Sequence, residues 1–147
     1  YEMCRLALEE YDYLEVSDFE NTFSERSYTY RTLTKYKELH PKDDLYFIMG
    51  GDSLDYFDKW CHPEIIASKC TILVVVREAF EKKQMEDKIK SIGRLFPCDI
   101  RLCGCPKYDA ASSEIRSIIK KQNLDSPELD ALLNANVRKY ISDKNLY

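Results

Sequence analysis

The sequence is poor in the features that mark several classes of protein. Its 147 residues include four glycines and five prolines, and no internal repeat or low-complexity tract is visible. No stretch approaches the roughly 20 apolar residues that a membrane helix needs, because the longest apolar run, residues 72–76, has the length of a strand. No signal-peptide pattern opens the chain. We therefore expect a cytoplasmic protein with no membrane partner.

An excess of basic charge is also absent. The chain carries 22 basic and 26 acidic residues, which give a formal net charge of −4, and no long run of either sign stands out. Proteins that bind nucleic acid neutralise phosphates with clustered basic residues. We therefore expect no nucleic-acid partner. The length fits a single domain over residues 1–147, in which residues 111–147 form a helical C-terminal part.

Cysteine and histidine give little support for a disulfide framework or a metal site. The six cysteines are spread through predicted helix, strand and loop, which favours reduced thiols. Cys98, Cys103 and Cys105 lack a partner pair with the two-residue gap that is usual in zinc sites, so we expect no metal ligands. The two histidines, His40 and His62, are not placed like a catalytic base.

Strand-like and helix-like segments alternate along the chain, which is typical of a parallel sheet with crossover helices. Residues 45–49 and 71–76 are predicted strands, and the second is continuous and β-branched, as expected for a strand covered on both faces. Shorter strands are predicted at 14–16 and 100–102. The periodicity predicts helices near 3–11, 29–39, 53–60, 63–68, 80–96, 112–119, 126–133 and 137–141.

Ligands of such sheets bind beyond the carboxyl ends of the strands, which directs attention to residues 17–18, 50–52, 77 and 112–113. Gly50, Gly51 and Asp52 stand between a predicted strand and a helix. Glycines there let a ligand approach the backbone, and amide groups at a helix start favour anions. Asp52 can accept hydrogen bonds from ribose hydroxyls. The alternative is a tight turn whose helix is capped by Asp52 or Ser53.

A second candidate site follows Ala111. The hydroxyls of Ser112 and Ser113, the amide groups at a helix start and the guanidinium of Arg116 together suit a phosphate group. The alternative is an ordinary serine cap with a solvated arginine.

Aromatic and hydroxyl residues supply two weaker signals. Trp60 is the only tryptophan, and such a residue is more often part of a core than a platform for ring stacking. Ser27, Tyr28 and Thr29 stand at a predicted helix start, where hydroxyls usually act as caps. Each signal alone favours a structural role.

The order of these motifs is more informative than any one of them. Over essentially its whole length the chain resembles bacterial nicotinate-nucleotide adenylyltransferases. The residues that carry the resemblance are Val16-Ser17-Asp18-Phe19-Glu20, Ser27-Tyr28-Thr29, Leu45-Tyr46-Phe47-Ile48-Met49-Gly50-Gly51-Asp52-Ser53-Leu54, Lys59-Trp60, Val74-Val75-Val76-Arg77, Ser112-Ser113-Glu114-Ile115-Arg116 and Val137-Arg138-Lys139-Tyr140-Ile141. The resemblance implies an α/β fold with a Rossmann-like parallel sheet flanked by helices, the nucleotidyltransferase fold. It also implies transfer of AMP from ATP to nicotinate mononucleotide, giving deamido-NAD and pyrophosphate.

The resemblance also implies roles for individual residues. Trp60 would stack on the nicotinate ring, and Arg116 would act in catalysis. The mononucleotide pocket would contain Ser27, Tyr28, Thr29, Gly51, Trp60 and Cys61. The ATP site would contain Gly50, Asp52, Arg77, Ser112, Ser113 and Arg116. Mg²⁺ is expected with ATP, without assigned protein ligands. Trp60, Asp52 and the turn at 113–116 are expected to converge on one cleft at one rim of the sheet.

Three departures from the family pattern stand out. The family motif G-x-F-D-P-x-H-x-G-H, whose histidines stabilise the triphosphate, is not among these residues. We expect roughly 40–60 preceding residues that include the first strand of the sheet, and negligible adenylyl transfer by the 147-residue chain alone. Turnover by that purified chain, with its mass confirmed, would overturn this expectation. Ala111 stands where the family has serine, and Arg77-Glu78-Ala79 replaces the usual R-P-G.

Two alternatives stay open at this stage. One is a related nucleotidyltransferase with another acceptor, such as a phosphopantetheine precursor or nicotinamide mononucleotide. The other is a non-catalytic nucleotide-binding module. The sequence also leaves open whether the protein forms a homo-oligomer.

Overall fold

A computed structural model describes residues 1–24, 26–76, 79–105, 111–121, 124 and 126–147, with side chains 79–82 left out. The chain divides into two compact units, Tyr1–Thr22 with Tyr108–Tyr147, and Phe23–Lys107. The helices are α1 (Glu2–Leu8), α2 (Thr29–Leu39), α3 (Gly51–Asp55), α4 (Pro63–Lys69), α5 (Ala79–Gly93), α6 (Ser112–Lys121), α7 (Pro127–Asp130) and α8 (Ala135–Asp143). The strands are β1 (Tyr46–Gly50), β2 (Thr71–Val76) and β3 (Ile100–Gly104), and short 3₁₀ turns span Phe19–Thr22 and Phe57–Lys59.

The larger unit, Phe23–Lys107, contains a parallel sheet with the strand order β1-β2-β3. Val74 in the central strand lies opposite Met49 on one side and opposite Leu102 on the other. Helices connect the strands, as crossover connections require. The predicted parallel α/β sheet is therefore confirmed, and β2 and α2 have the predicted boundaries. Helix α2 ends at Leu39. The next residue, His40, precedes Pro41, and a proline disfavours the helical conformation in the residue before it.

One face of the sheet carries the core of this unit. Ile72 and Val74 of β2 are completely buried on that face. Each helix of the unit contributes to the same apolar cluster, through Leu33, Leu54, Ile66, Met85 and Ile92. The opposite face is only partly covered, since Leu73 is half-buried and Ile48 is 66% exposed. The prediction that β2 is covered on both faces is thus only half met, because the helices of this unit pack into one core.

One predicted strand and one predicted helix in the first half of the chain differ in the structure. Residues 14–16 do not form a strand, because the Leu14 N–H bonds locally to the Tyr11 carbonyl, 3.1 Å away. The predicted helix 53–60 is broken into α3 and the 3₁₀ turn Phe57–Lys59. The break lies at Tyr56, whose φ of −111° is outside the helical range.

The smaller unit, Tyr1–Thr22 with Tyr108–Tyr147, contains α1, α6, α7 and α8. Leu129, Val137 and Ile141 are its buried residues. Asn134 caps α8 by accepting a hydrogen bond from the Asn136 N–H at 2.8 Å. The predicted helix 126–133 ends earlier, at Asp130, the last residue of α7.

None of the helices in the described parts of the chain has the length and hydropathy that crossing a bilayer requires. All six cysteines are free thiols.

Candidate functional site

A pocket of about 250 Å³ lies beside the start of α2 and the segment that leads into α4. Its lining residues are Arg26, Ser27, Tyr28, Thr29, Trp60, Cys61 and Ile66. We call it the aromatic pocket. Five of the six residues predicted for the mononucleotide pocket therefore lie together, although they come from two separate parts of the sequence. The sixth, Gly51, lies elsewhere.

Trp60 lies at the border between this pocket and the core. Its ring is half-buried and packs edge-on against Phe57, with ring centroids 5.7 Å apart, and against Phe47, at 6.1 Å. Phe57 is completely buried and packs in turn on Phe96, at 6.3 Å. The indole is therefore anchored by the core while it also lines the pocket. Such a fixed aromatic surface can stack on a planar ligand with little loss of side-chain freedom.

The backbone around Trp60 is also held in place. The Trp60 N–H donates to the Phe57 carbonyl at 3.0 Å, and the residue then adopts an extended conformation. Lys88 of α5 donates to the Asp58 carboxylate at 2.7 Å, which ties the 3₁₀ turn to α5. This hydrogen bond is the main cause that lowers the pKa of Asp58 below its ordinary value.

Tyr28 forms another part of the lining. It occupies the N-cap position of α2, and no described side chain caps the helix there. Ser27 and Thr29 thus do not hold the N-cap position that the structural alternative required. The Tyr28 ring stacks on Tyr30 with centroids 6.1 Å apart. The guanidinium carbon of Arg26 lies 5.4 Å from the centre of the Tyr28 ring.

The chain enters α4 through His62, which has a left-handed conformation with φ of 53°. The following Pro63, in the first turn of α4, disfavours the right-handed helical region at this position. The His62 Nδ1 lies 3.2 Å from Glu64 Oε1, and its ring packs edge-on against Tyr30. The pKa of Glu64 is lowered, first by its own backbone N–H and then by His62.

A second cavity, of about 390 Å³, lies at the carboxyl ends of β1 and β2, where the topology predicted a ligand site. Its lining residues are Gly50, Gly51, Asp52, Asp55, Val75, Gln84 and Met85. We call it the glycine cleft. Gly51 thus lies with Gly50 and Asp52 and not with Trp60.

The two glycines of the cleft have different roles. A Cβ atom added to Gly50 would meet no described heavy atom within 4 Å, so this glycine keeps the space of the cleft open. A Cβ added to Gly51 would lie 3.3 Å from the Met85 sulfur, so this glycine allows α3 to pack closely on α5. Neither has a positive φ. Close packing therefore explains glycine at position 51, whereas the structure shows only open space around position 50.

Polar groups of the cleft come from α3 and α5. Asp52 is exposed in the first turn of α3, and Asp55 lies about one turn further along. The N-cap position is occupied by Gly50, so the alternative role of Asp52 or Ser53 as a helix cap is wrong. Gln84 of α5 adds a side-chain amide, which can both donate and accept.

The remaining predicted site residues lie outside these cavities. Ser112, Ser113 and Arg116 are exposed in the first turns of α6, in the smaller unit, so their convergence with the larger unit stays a prediction. Arg77 lies outside the described residues. Across the described part of the chain, no cluster of three or more His, Cys, Asp or Glu side chains could hold a metal ion.

Sequence reasoning missed some lining residues. Asp55 could have been found, because it follows Asp52 at a spacing of three and so lies on the same side of α3. Arg26 precedes the Ser27-Tyr28-Thr29 motif, but its charge alone gave no reason to place it in a pocket. Gln84 comes from a helix far along the chain and has no local signal.

A parallel sheet with crossover helices and a glycine-lined cleft beyond its strands is the architecture of the nucleotidyltransferase α/β fold. No family model matches the sequence. A Clostridium botulinum (strain Okra) protein named probable nicotinate-nucleotide adenylyltransferase is 36% identical over 148 residues, which span all of this chain and 72% of the relative. A Clostridium tetani protein of the same name is 37% identical over 128 residues, or 82% of this chain and 60% of the relative.

Solved structures agree with these relatives. The Plasmodium falciparum nicotinic acid mononucleotide adenylyltransferase complexed with APC has a TM-score of 0.64 and 27% identity, over 84% of this chain and 60% of that one. The same enzyme complexed with NaAD has a TM-score of 0.61 and covers 58% of that chain. The chain belongs to the nicotinate-nucleotide adenylyltransferase family, as the sequence resemblance predicted.

Proposed function

We propose that the protein acts in adenylyl transfer from ATP to nicotinate mononucleotide, with deamido-NAD and pyrophosphate as products. The observation that carries this proposal is the aromatic pocket, where four other residues predicted for the mononucleotide lie with the half-buried Trp60. The names of the bacterial relatives, and the complexes of the Plasmodium enzyme with NaAD and APC, support the same activity.

In this proposal the nicotinate ring stacks on Trp60. The ring is planar and electron-poor, and the indole offers a large aromatic face whose orientation is fixed by Phe57 and Phe47. Ser27 and Thr29 lie at the pocket wall and supply hydroxyl groups for the polar part of the ligand.

The nucleotides meet the glycine cleft through its open backbone and its carboxylates. Gly50 leaves space for a sugar or a phosphate to approach the chain. Asp52 accepts hydrogen bonds from ribose hydroxyls. Arg77 is proposed to lie beside the adenine ring. Ser112 and Ser113 are proposed to hold the phosphates of ATP.

The reaction needs placement and charge neutralisation more than covalent participation by the protein. A phosphate oxygen of the mononucleotide attacks the α-phosphorus of ATP. The bond from that phosphorus to the oxygen bridging the β-phosphorus breaks, and pyrophosphate leaves with the electron pair. Binding in line raises the effective concentration of the two groups. Arg116 neutralises the negative charge that grows on the leaving pyrophosphate.

Mg²⁺ is the proposed helper ion. It is expected to arrive with ATP and to be held largely by the substrate phosphates and water, so no protein ligand is assigned to it. When bound, the ion supplies additional positive charge to the phosphates. The free thiols also lead us to infer the cytoplasm as the reducing compartment.

Calorimetry with nicotinate mononucleotide tests the proposal. Trp60→Ala removes the stacking surface, and we expect its binding free energy to fall by about 1–3 kcal/mol. Tyr56→Ala is the matched control, because Tyr56 is 61% exposed and lines neither cavity, and it should bind as the wild type does. In the complete enzyme, Arg116→Ala should instead lower turnover with ATP. Equal mononucleotide affinity of wild type and Trp60→Ala would contradict the assignment of the pocket.

A further inference from the structure

Helix α5 carries a lysine that reaches a distant part of the chain. The Lys88 Nζ donates to the Asp58 Oδ1 at 2.7 Å, across 30 residues of sequence. Both side chains are largely shielded from water, with 21% and 26% of their surfaces exposed. The ion pair of Lys90 with Asp87 on the same helix leaves 68% and 65% exposed. Because water and salt weaken an exposed pair more than a shielded one, the contact of Lys88 can hold two segments together.

The helix that carries Lys88 is fixed in the core. Met85 and Ile92 lie three residues before and four residues after Lys88, so they are on the same side of α5 as the lysine. Met85 is 4% exposed, and Ile92 is completely buried. Lys88 therefore extends from a helix face that the core holds in place.

The segment that contains Asp58 has little rigidity of its own. It is the 3₁₀ turn Phe57–Lys59, and a turn of three residues has few internal hydrogen bonds. The buried Phe57 ring attaches the turn to the core at one point. Asp58 supplies a second attachment through Lys88, and Trp60 follows two residues later. Two attachments fix the orientation of the turn, whereas one alone allows it to pivot.

We propose that Lys88 is a positioning residue for the mononucleotide, which acts through Asp58 on the orientation of Trp60. This inference rests on the proposed function. A ring that is already held in its binding orientation loses little freedom when a ligand stacks on it, so it binds the ligand more tightly than a mobile ring does. Lys88 is not among the described lining residues of either cavity, so it contributes without touching a nucleotide there.

Fluorescence and calorimetry with the 147-residue chain test the inference. Trp60 is the only tryptophan, so its fluorescence reports on this segment alone. Lys88→Met nearly keeps the length of the side chain and removes its charge. Without ligand, time-resolved anisotropy should show a larger fast component for this variant. Its Kd for nicotinate mononucleotide should rise about two- to fivefold, while its Kd for ATP should change by less than about twofold.

Two further variants test the route through Asp58. Lys88→Arg keeps the charge and a donor, so it should restore both the anisotropy and the mononucleotide Kd. The double variant Lys88→Met with Asp58→Asn should bind the mononucleotide no more weakly than Lys88→Met alone, because both substitutions break the same contact. Additive losses would contradict action through Asp58.

Lys90→Met is the matched control on the same helix. Its ion pair is exposed, so anisotropy and both Kd values should stay at the wild-type level. An unchanged mononucleotide Kd or an unchanged anisotropy in Lys88→Met overturns the inference. An equal loss of affinity for both nucleotides also overturns it, because that result marks a general loss of structure. If the wild type does not bind nicotinate mononucleotide, the proposed function fails, and the anisotropy without ligand still decides whether Lys88 orients Trp60.

Discussion

The aromatic pocket and the glycine cleft belong to the same unit, yet they are built in different ways. The pocket depends on large side chains, since Trp60 is held by Phe57, which is itself fixed in the core. The cleft depends on missing side chains, because Gly50 leaves open space and Gly51 allows close packing. The comparison teaches that rigid aromatic side chains wall one cavity, whereas the absence of side chains shapes the other.

The largest expected effect comes from the support of the pocket. Phe57→Ala removes a completely buried aromatic ring and should lower the free energy of unfolding by about 3–5 kcal/mol. Trp60 loses its nearer edge-on partner, so mononucleotide affinity should also fall under conditions where the variant is folded. Urea denaturation and calorimetry measure the two effects. Phe57→Leu keeps most of the volume and is the control. If Phe57→Ala weakened binding of the mononucleotide in the pocket and of ATP in the cleft equally, the two cavities would not be built independently.

Substitutions of the two glycines in the cleft should have different effects, because Gly50 borders open space and Gly51 borders Met85. Gly50→Ala places a methyl group in the open cleft, so adenosine nucleotide affinity should fall about three- to tenfold while stability changes by less than about 0.5 kcal/mol. Gly51→Ala presses on the flexible Met85 side chain and should change stability by less than about 1 kcal/mol. Thermal unfolding and calorimetry with ATP distinguish them. If Gly50→Ala lowered stability and left ATP binding unchanged, the different roles of the two glycines would be refuted.

The smallest expected effect concerns the ion pair that holds the Trp60 segment. The pKa of Asp58 is lowered in the folded protein, so its contact with Lys88 stabilises the fold above the ordinary aspartate pKa of about 4. That contribution is lost as the pH falls through the lowered folded-state pKa. Asp58→Asn should therefore be less stable than wild type at pH 7, with a difference that shrinks in acid. Asp87→Asn, in an exposed pair with Lys90, is the control and should differ less. Thermal unfolding between pH 7 and 2 checks the trend, and a constant difference would refute it.

Many of the helices and strands were predictable from the sequence, because the patterns that specify them lie within a single short segment. The β-branched run of β2 and the periodic apolar residues of α2 gave the correct boundaries. The strand predicted at 14–16 failed because a short apolar segment becomes a strand only when a neighbouring strand supplies hydrogen bonds. The break at Tyr56 was likewise invisible, since the packing of Phe57 and Trp60 decides where α3 ends.

The sequence determined which residue types form the site, whereas the tertiary structure determined the environment of each side chain. The order of Ser27-Tyr28-Thr29, Gly50-Gly51-Asp52 and Trp60 along the sequence determined the family, because residue types at fixed order are a property of the chain itself. Only the tertiary structure decided that Trp60 is half-buried, that Gly51 belongs with Met85 and that Arg26 gives the aromatic pocket its charge. These features depend on contacts between residues far apart in sequence, and burial, close approach and charge environment are set by such contacts.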